Sequence, residues 1–195
     1  MYHHLRGRLV EKNPTYVVLE CGGVGYMVHI SLTTFSKLPE VESCMLYTSY
    51  IVREDAQILF GFAEKSEREI FEMLITVSGV GANTARLILS SLTPKEAVSA
   101  ITSENVALLQ SVKGIGAKTA QRIIIDLKDK VLKTSIGEDE KGVINIDSGV
   151  RNEAIQALEV LGFNRNQVDK VVSKLLNMDA EMTVENIIKQ ALNQL

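Results

Sequence analysis

Two short stretches carry the residue types and spacing that could do chemistry. "SGVGANTARLIL" runs from Ser78 to Leu89, and "KGIGAKTAQRII" runs from Lys113 to Ile124. Both fit one pattern, apolar-x-Gly-apolar-Gly-x-x-x-Ala: Val77, Gly79, Val80, Gly81 and Ala85, then Val112, Gly114, Ile115, Gly116 and Ala120. Two glycines one residue apart let a chain turn sharply and keep Cβ atoms away from whatever approaches. Val80 and Ile115 are expected to point inward and pin each turn to the core. The helix that follows each turn presents free backbone N–H groups and the positive end of its dipole. That is anion-binding chemistry, and a phosphodiester is the expected anion. Such a contact reads no base, so it is independent of nucleotide sequence.

The elements that must hold these turns are helices. After the first turn Ala85, Ile88, Leu89 and Leu92 fall at i, i+3, i+4 and i+7, and Ala120, Ile123, Ile124 and Leu127 do the same after the second. The repeated unit is therefore helix, glycine turn, helix. Across residues 64–133 the pattern predicts helices over Glu67–Val77, Ala82–Ser91, Pro94–Ile101, Ser103–Val112 and Ala117–Leu132. Ser66 with Glu69 and Thr93 with Glu96 both fit the S/T-x-x-E capping box, and Pro94 suits a first helical position.

Upstream, residues 1–63 read as β structure. Leu5–Lys12, Tyr16–Cys21, Val24–Ile30, Cys44–Val52 and Ala56–Phe62 are short runs rich in β-branched, aromatic and aliphatic residues. "KNPT" and Gly22–Gly23 supply turn chemistry, and Ser31–Leu38 reads as a short helix ended by Pro39. Five strands with a helix between the third and fourth is the order of an OB-fold barrel. Residues 134–149, "TSIGEDEKGVINIDSG", show no period and read as a flexible acidic linker. Residues 150–195 return to helix over Val150–Leu161, Asn166–Leu176 and Thr183–Leu195, a compact three-helix unit. The fold class expected is multidomain α+β: a barrel, a central all-α domain and a C-terminal three-helix domain.

Charge supports a phosphate partner only where it matters. The whole chain carries a formal net charge of −3. Residues 64–133, which hold the repeat, carry 10 Lys and Arg against 8 Asp and Glu, whereas residues 134–149 carry 1 against 4. No run of 18 apolar residues exists to span a membrane, and "MYHHLRGRLV" has no apolar core of a secretory signal. Cys21 and Cys44 match no metal-ligand spacing, which points to reduced thiols in a cytoplasmic setting. His3 and His4 lack a third ligand at useful spacing, so no metal is expected. "GGVG" at Gly22–Gly25 lacks the spacing and the following helix of a nucleotide loop, and no Walker A sequence is present.

The paired turns resemble the helix-hairpin-helix motif in its tandem form, which grips duplex backbone across the minor groove. Together with "LRGRLVEKNPTYVVLECGGVGYMVHI" and "VREDAQILFGF" (Val52–Phe62), they make the whole chain resemble the RuvA family of Holliday-junction branch-migration subunits. The resemblance implies a homotetramer that binds four-way junction DNA without sequence preference and recruits RuvB hexamers. It also implies RuvC resolvase in a larger complex, and a place in recombination, DNA repair and the SOS response. ATP and magnesium would be used by RuvB, leaving this chain with no cofactor and no catalytic residue of its own. Whether one or two tetramers clamp the junction stays open. The DNA-contact residues implied are Gly79, Val80, Gly81, Asn83, Thr84 and Arg86 in the first copy. In the second they are Gly114, Ile115, Gly116, Lys118, Thr119 and Arg122. Glu54 and Asp55, read alone as a polar hairpin turn, match the family's acidic pin at the strand crossover. There they would repel phosphates by roughly 1 kcal/mol per pair in wet surroundings. "ALEVLGF" (Ala157–Phe163) resembles a ubiquitin-associated-type fold, with Leu161, Phe163, Ile188 and Leu192 as candidate RuvB contacts. This chain departs from the family at Asn83 and Ala117, where a lysine is frequent.

Two other classes compete. A helix-hairpin-helix glycosylase or lyase would use Asp126 or Asp129, but it needs stacking side chains around a flipped base. The chain has no Trp, and no aromatic residue lies between Phe71 and Phe163. A single-stranded-DNA-binding OB protein would prefer single strands to junctions.

Overall fold

The structure is a computed structural model of the chain, and it describes residues 2–39, 43–133, 146–179 and 182–195. The chain divides into two compact units, residues 1–138 and 139–195.

The first unit opens with five strands: β1 (His4–Asn13), β2 (Tyr16–Cys21), β3 (Val24–Ile30), β4 (Ser43–Val52) and β5 (Gln57–Phe62). They close into a barrel in the order β1-β2-β3-β5-β4, with β3 and β5 parallel and the other pairs antiparallel. Alternation along β2 and β3 sends Val17, Leu19, Val28 and Ile30 into the interior, where they meet Leu5 and Leu46. Gly22 and Gly23 both have positive φ (59° and 85°), the backbone that a tight two-residue hairpin requires. A short helix, α1 (Leu32–Lys37), lies between β3 and β4, and the Ser31 side chain caps it by accepting from the Thr34 amide.

Helices α2 (Lys65–Ile75), α3 (Ala82–Ser91), α4 (Pro94–Thr102), α5 (Val106–Gln110) and α6 (Ala117–Lys133) follow. All eight periodic positions read from the repeat, Ala85 to Leu92 and Ala120 to Leu127, are buried. They share one core with Phe60 and Phe62 of β5, whose rings lie 5.0 and 4.9 Å from that of Phe71 in α2. The barrel and the hairpins are thus packed as one unit rather than joined by a linker. Burying the three phenylalanines there contributes roughly 2 kcal/mol each before entropy is charged.

The capping box at Thr93 and Glu96 forms in full, with Pro94 in the first turn. The box expected at Ser66 and Glu69 does not. Helix α2 starts two residues earlier than that box allows, with Glu64 at its N-cap and no side-chain cap. Long-range packing of Glu67, Ile70, Phe71 and Leu74 sets the start there. Helix α5 is shorter than the expected Ser103–Val112, because Glu104 takes a left-handed conformation (φ 56°) and Asn105 caps a new start at the Leu108 amide.

The second unit holds α7 (Ile146–Val160), α8 (Arg165–Met178) and α9 (Val184–Leu192) around Ala154, Leu158, Val168, Val172 and Ile187. Past the end of α7, Gly162 is left-handed (φ 97°) and the Phe163 amide donates to the Leu158 carbonyl at 3.2 Å, a Schellman closure. Of the stretch expected as linker, residues 134–145 lie outside the described residues, and residues 146–149 belong to α7.

Candidate nucleic-acid interface

The two glycine turns have the same backbone. Gly79 and Gly114 both have φ +91°, a region that side-chain-bearing residues rarely enter. The Val80 amide donates to the Val77 carbonyl at 3.0 Å, and the Ile115 amide donates to Val112 at 3.1 Å. Val80 and Ile115 are 4% and 6% exposed, so both turns are pinned inward as their apolar type predicts. Gly81 and Gly116 each accept from the amide four residues on, Ala85 and Ala120, at 2.9 Å. Gly81 has ordinary extended φ (−81°) and gives α3 no side-chain cap. The first-turn amides of α3 and α6 therefore lack intrahelical partners and sit beside a helix's positive dipole end.

Gly81 and Gly116 are not held to glycine by their own surroundings. A Cβ at Gly116 would meet no atom within 4 Å, and one at Gly81 would meet only an Arg53 guanidinium nitrogen at 4.0 Å. Nothing inside the fold forbids a side chain at either position, so the open space above each turn is available to a ligand that must come close to backbone. A phosphate oxygen is such a ligand, and each charge-assisted hydrogen bond to it is worth about 1.5–3 kcal/mol.

The side chains around the turns differ. At the second turn Lys118 and Arg122 are exposed, and Arg122 makes only a loose 3.9 Å pair with Asp126 on the next helical turn. Asp129 is exposed on the same helix. Thr119 and Thr84 are half-buried at matching positions, and Asn83 is exposed where Lys118 stands in the other copy. Arg86 is placed differently from its counterpart Gln121. It is half-buried and donates to the Thr15 carbonyl in the β1–β2 turn at 2.9 Å. Burial pushes its guanidinium pKa down, and burial, followed by the Arg86 charge, pushes that of His29 down. Arg86 is thus first a strut between hairpin and barrel.

Glu54 and Asp55 are exposed at the tip of the β4–β5 hairpin, whose turn is closed by the Arg53 amide donating to Ala56 at 2.8 Å. The pair sits next in sequence to Arg53, the residue that reaches Gly81. Arg53 is absent from the expected contact set; its only sequence signal is its place beside the acidic pair. Glu67 is the other residue that sequence reasoning passed over. It is a charged side chain with no exposure, and Ser31 and Thr34 both donate to its carboxylate, Thr34 at 2.7 Å. Burial raises its pKa against the pull of those two hydroxyls and of Lys37.

In the C-terminal unit Leu161 and Leu192 are 59% and 43% exposed, whereas Phe163 and Ile188 are half-buried against the core. Val160 and Met178 are more exposed still, at 87% and 72%. No helix among the described residues is long and apolar enough to cross a membrane, and no three metal-ligating side chains are grouped there.

Three family models match successive parts of the chain. The model of the RuvA N-terminal domain matches residues 1–61, that of the SAM-like helix-hairpin-helix tandem matches residues 71–129, and that of the RuvA C-terminal domain matches residues 149–195. The chain is 60% identical over 195 residues to a protein of Christiangramia forsetii named Holliday junction branch migration complex subunit RuvA, with both chains covered in full. Proteins of the same name from Flavobacterium psychrophilum and Parabacteroides distasonis are 53% identical over 195 residues and 47% identical over 201, again with full coverage of both.

Proposed function

The chain belongs to the RuvA family, and on that premise we propose that it binds four-way DNA junctions independently of sequence, as the non-catalytic subunit of a branch-migration complex. The observation that carries this reading is the pair of turns with one backbone geometry, each offering unpartnered amides under open space. Two such turns on one helical body suit two phosphates of a duplex arm. The acidic tip at Glu54 and Asp55 suits the place where arms meet, because carboxylates repel continuous duplex and tolerate strands that part.

In this reading four copies surround the crossover, and their eight pin carboxylates crowd one spot. The hairpins hold the arms through Gly79–Gly81, Gly114–Gly116, Asn83, Thr84, Lys118, Thr119 and Arg122. Arg53 lends the first turn a cation that Asn83 does not supply. The C-terminal unit contacts the RuvB hexamer through Leu161 and Leu192, with Phe163 and Ile188 supporting them. RuvB brings the ATP and magnesium chemistry, RuvC joins the larger complex, and the work is done in the cytoplasm during recombination and SOS-linked repair.

The test is a gel-shift series with a four-way junction, a linear duplex of the same arm sequence and a single strand, at several salt concentrations. The expected result is that the junction outcompetes both others at every salt. Equal affinity for the duplex would remove the junction reading, and preference for the single strand would favour a plain OB-fold binder.

A further inference from the structure

The barrel carries the acidic tip and the helical body carries both glycine turns, so the distance from tip to turns is set where the two meet. That seam has an apolar half and a polar half. Phe60, Phe62 and Phe71 form the apolar half, whose attraction is non-directional. The polar half is directional. Ser31 and Thr34 donate to Glu67, and the Thr34 hydroxyl accepts from the Ala63 amide at 3.0 Å. The Ser31 hydroxyl in turn accepts from the Thr34 amide at 2.9 Å. Each hydroxyl thus accepts from backbone and has its proton left for the carboxylate, which fixes all three groups at once. Nearby, Thr33 donates to the Leu89 carbonyl at 2.6 Å and the Leu32 amide donates to Ser90 at 3.1 Å, so α1 is stitched to α2 and α3 together.

We propose that Glu67 is a positioning residue that locks the hairpin body to the barrel, and through that spacing determines how strongly a junction is preferred over duplex. The inference rests on the junction reading above. A duplex arm meets the two turns of one helical body, and the apolar core that holds α3 and α6 together is untouched when the polar half of the seam is lost. A junction must meet turns and tips together. Loosening the seam therefore lowers the effective concentration of the second contact while leaving the first intact.

The experiment uses the full chain with Glu67→Ala and the size-conserving Glu67→Gln. A four-way junction and a linear duplex are titrated at one salt concentration, with urea unfolding of the same samples. Glu67→Ala is expected to keep duplex Kd within about twofold and to raise junction Kd about tenfold, with Glu67→Gln shifting the ratio the same way by about threefold. Ser31→Ala, which removes one donor and leaves the carboxylate, is expected to weaken the preference for the junction over duplex as well. If Glu67→Ala does not fold, Glu67→Gln decides. A wild-type ratio in a folded variant, or equal weakening of junction and duplex, would overturn the assignment while leaving the junction reading standing. A wild-type protein with no junction preference would overturn both.

Discussion

At the first glycine turn Gly79 has φ +91°, Arg53 from the barrel stands over Gly81, and Arg86 behind it is tied to the β1–β2 turn. At the second, Gly114 has the same φ, the space over Gly116 is open, and Lys118 and Arg122 project from the turn's own helix. One backbone solution has therefore been used twice with different sources of charge. The second turn carries its cations within six residues of itself. The first is built into the barrel, spends its arginine on the joint, and has a cation from 28 residues upstream beside it. The difference teaches that the amide cradle is what the repeat preserves, and that side-chain charge can come from elsewhere in the fold.

If the cradle is the shared part, a side chain over it should do the most damage. Gly116→Val is expected to cost about a hundredfold in junction affinity, the worth of one or two charge-assisted amide contacts. Circular dichroism should be unchanged, since φ at Gly116 is not positive and no atom lies within 4 Å of the added Cβ. Gly81→Val should behave alike, moving only the flexible Arg53 tip. Near-wild-type affinity in folded Gly116→Val would dissolve the equivalence of the two turns.

The cations should separate where the cradles do not. Lys118→Ala is expected to flatten the dependence of log K on log salt by about 0.9 per lost phosphate contact, and Arg53→Ala should do the same from the barrel side. Asn83→Ala should leave the slope unchanged, and Asn83→Lys should steepen it. An unaltered slope in Arg53→Ala would mean that the first turn works without borrowed charge.

A smaller effect is expected at the tip. Glu54→Gln with Asp55→Asn should tighten duplex binding by about threefold through relief of repulsion, so the ratio of junction to duplex affinity falls. The competing expectation, for carboxylates that merely decorate a turn, is an unchanged ratio in a properly assembled protein.

The smallest is a matter of pH and touches stability alone. Burial raises the Glu67 pKa, with Lys37 and Glu64 the charged groups facing it. Below the ordinary carboxylate range the group is protonated folded or unfolded and costs nothing. As pH rises the unfolded chain ionises first, so the contribution of Glu67 to stability is lost on the way up to its raised folded value. Urea unfolding across that range should show Glu67→Gln gaining on wild type as pH rises. A constant difference between the two would place the carboxyl in a wetter setting than its zero exposure implies.

Much of the site was legible because it is made locally. The period of Ala85, Ile88, Leu89 and Leu92 reports a buried helix face within eight residues, and the Thr93–Glu96 box needs only four. The same window failed at Ser66, where a correct local motif was overruled by the burial of Ile70, Phe71 and Leu74. Nor could that window show that Arg86 gives one guanidinium donor to the Thr15 carbonyl of the barrel. Leu161 and Phe163, alike as apolar residues flanking one glycine, fall on opposite sides of exposure once α7 closes.

By itself, the order of residues determined the strand-then-helix architecture, the two turns and the inward role of Val80 and Ile115. Glycine φ, capping and apolar period are interactions between residues a few positions apart, and they act before any tertiary contact exists. Only the tertiary structure decided that barrel and hairpins form one unit, that Arg53 stands over Gly81, and that Glu67 is locked by Ser31, 36 positions away. Those partners are chosen by which surfaces close on each other, and a buried carboxylate has no meaning until the fold has removed its water.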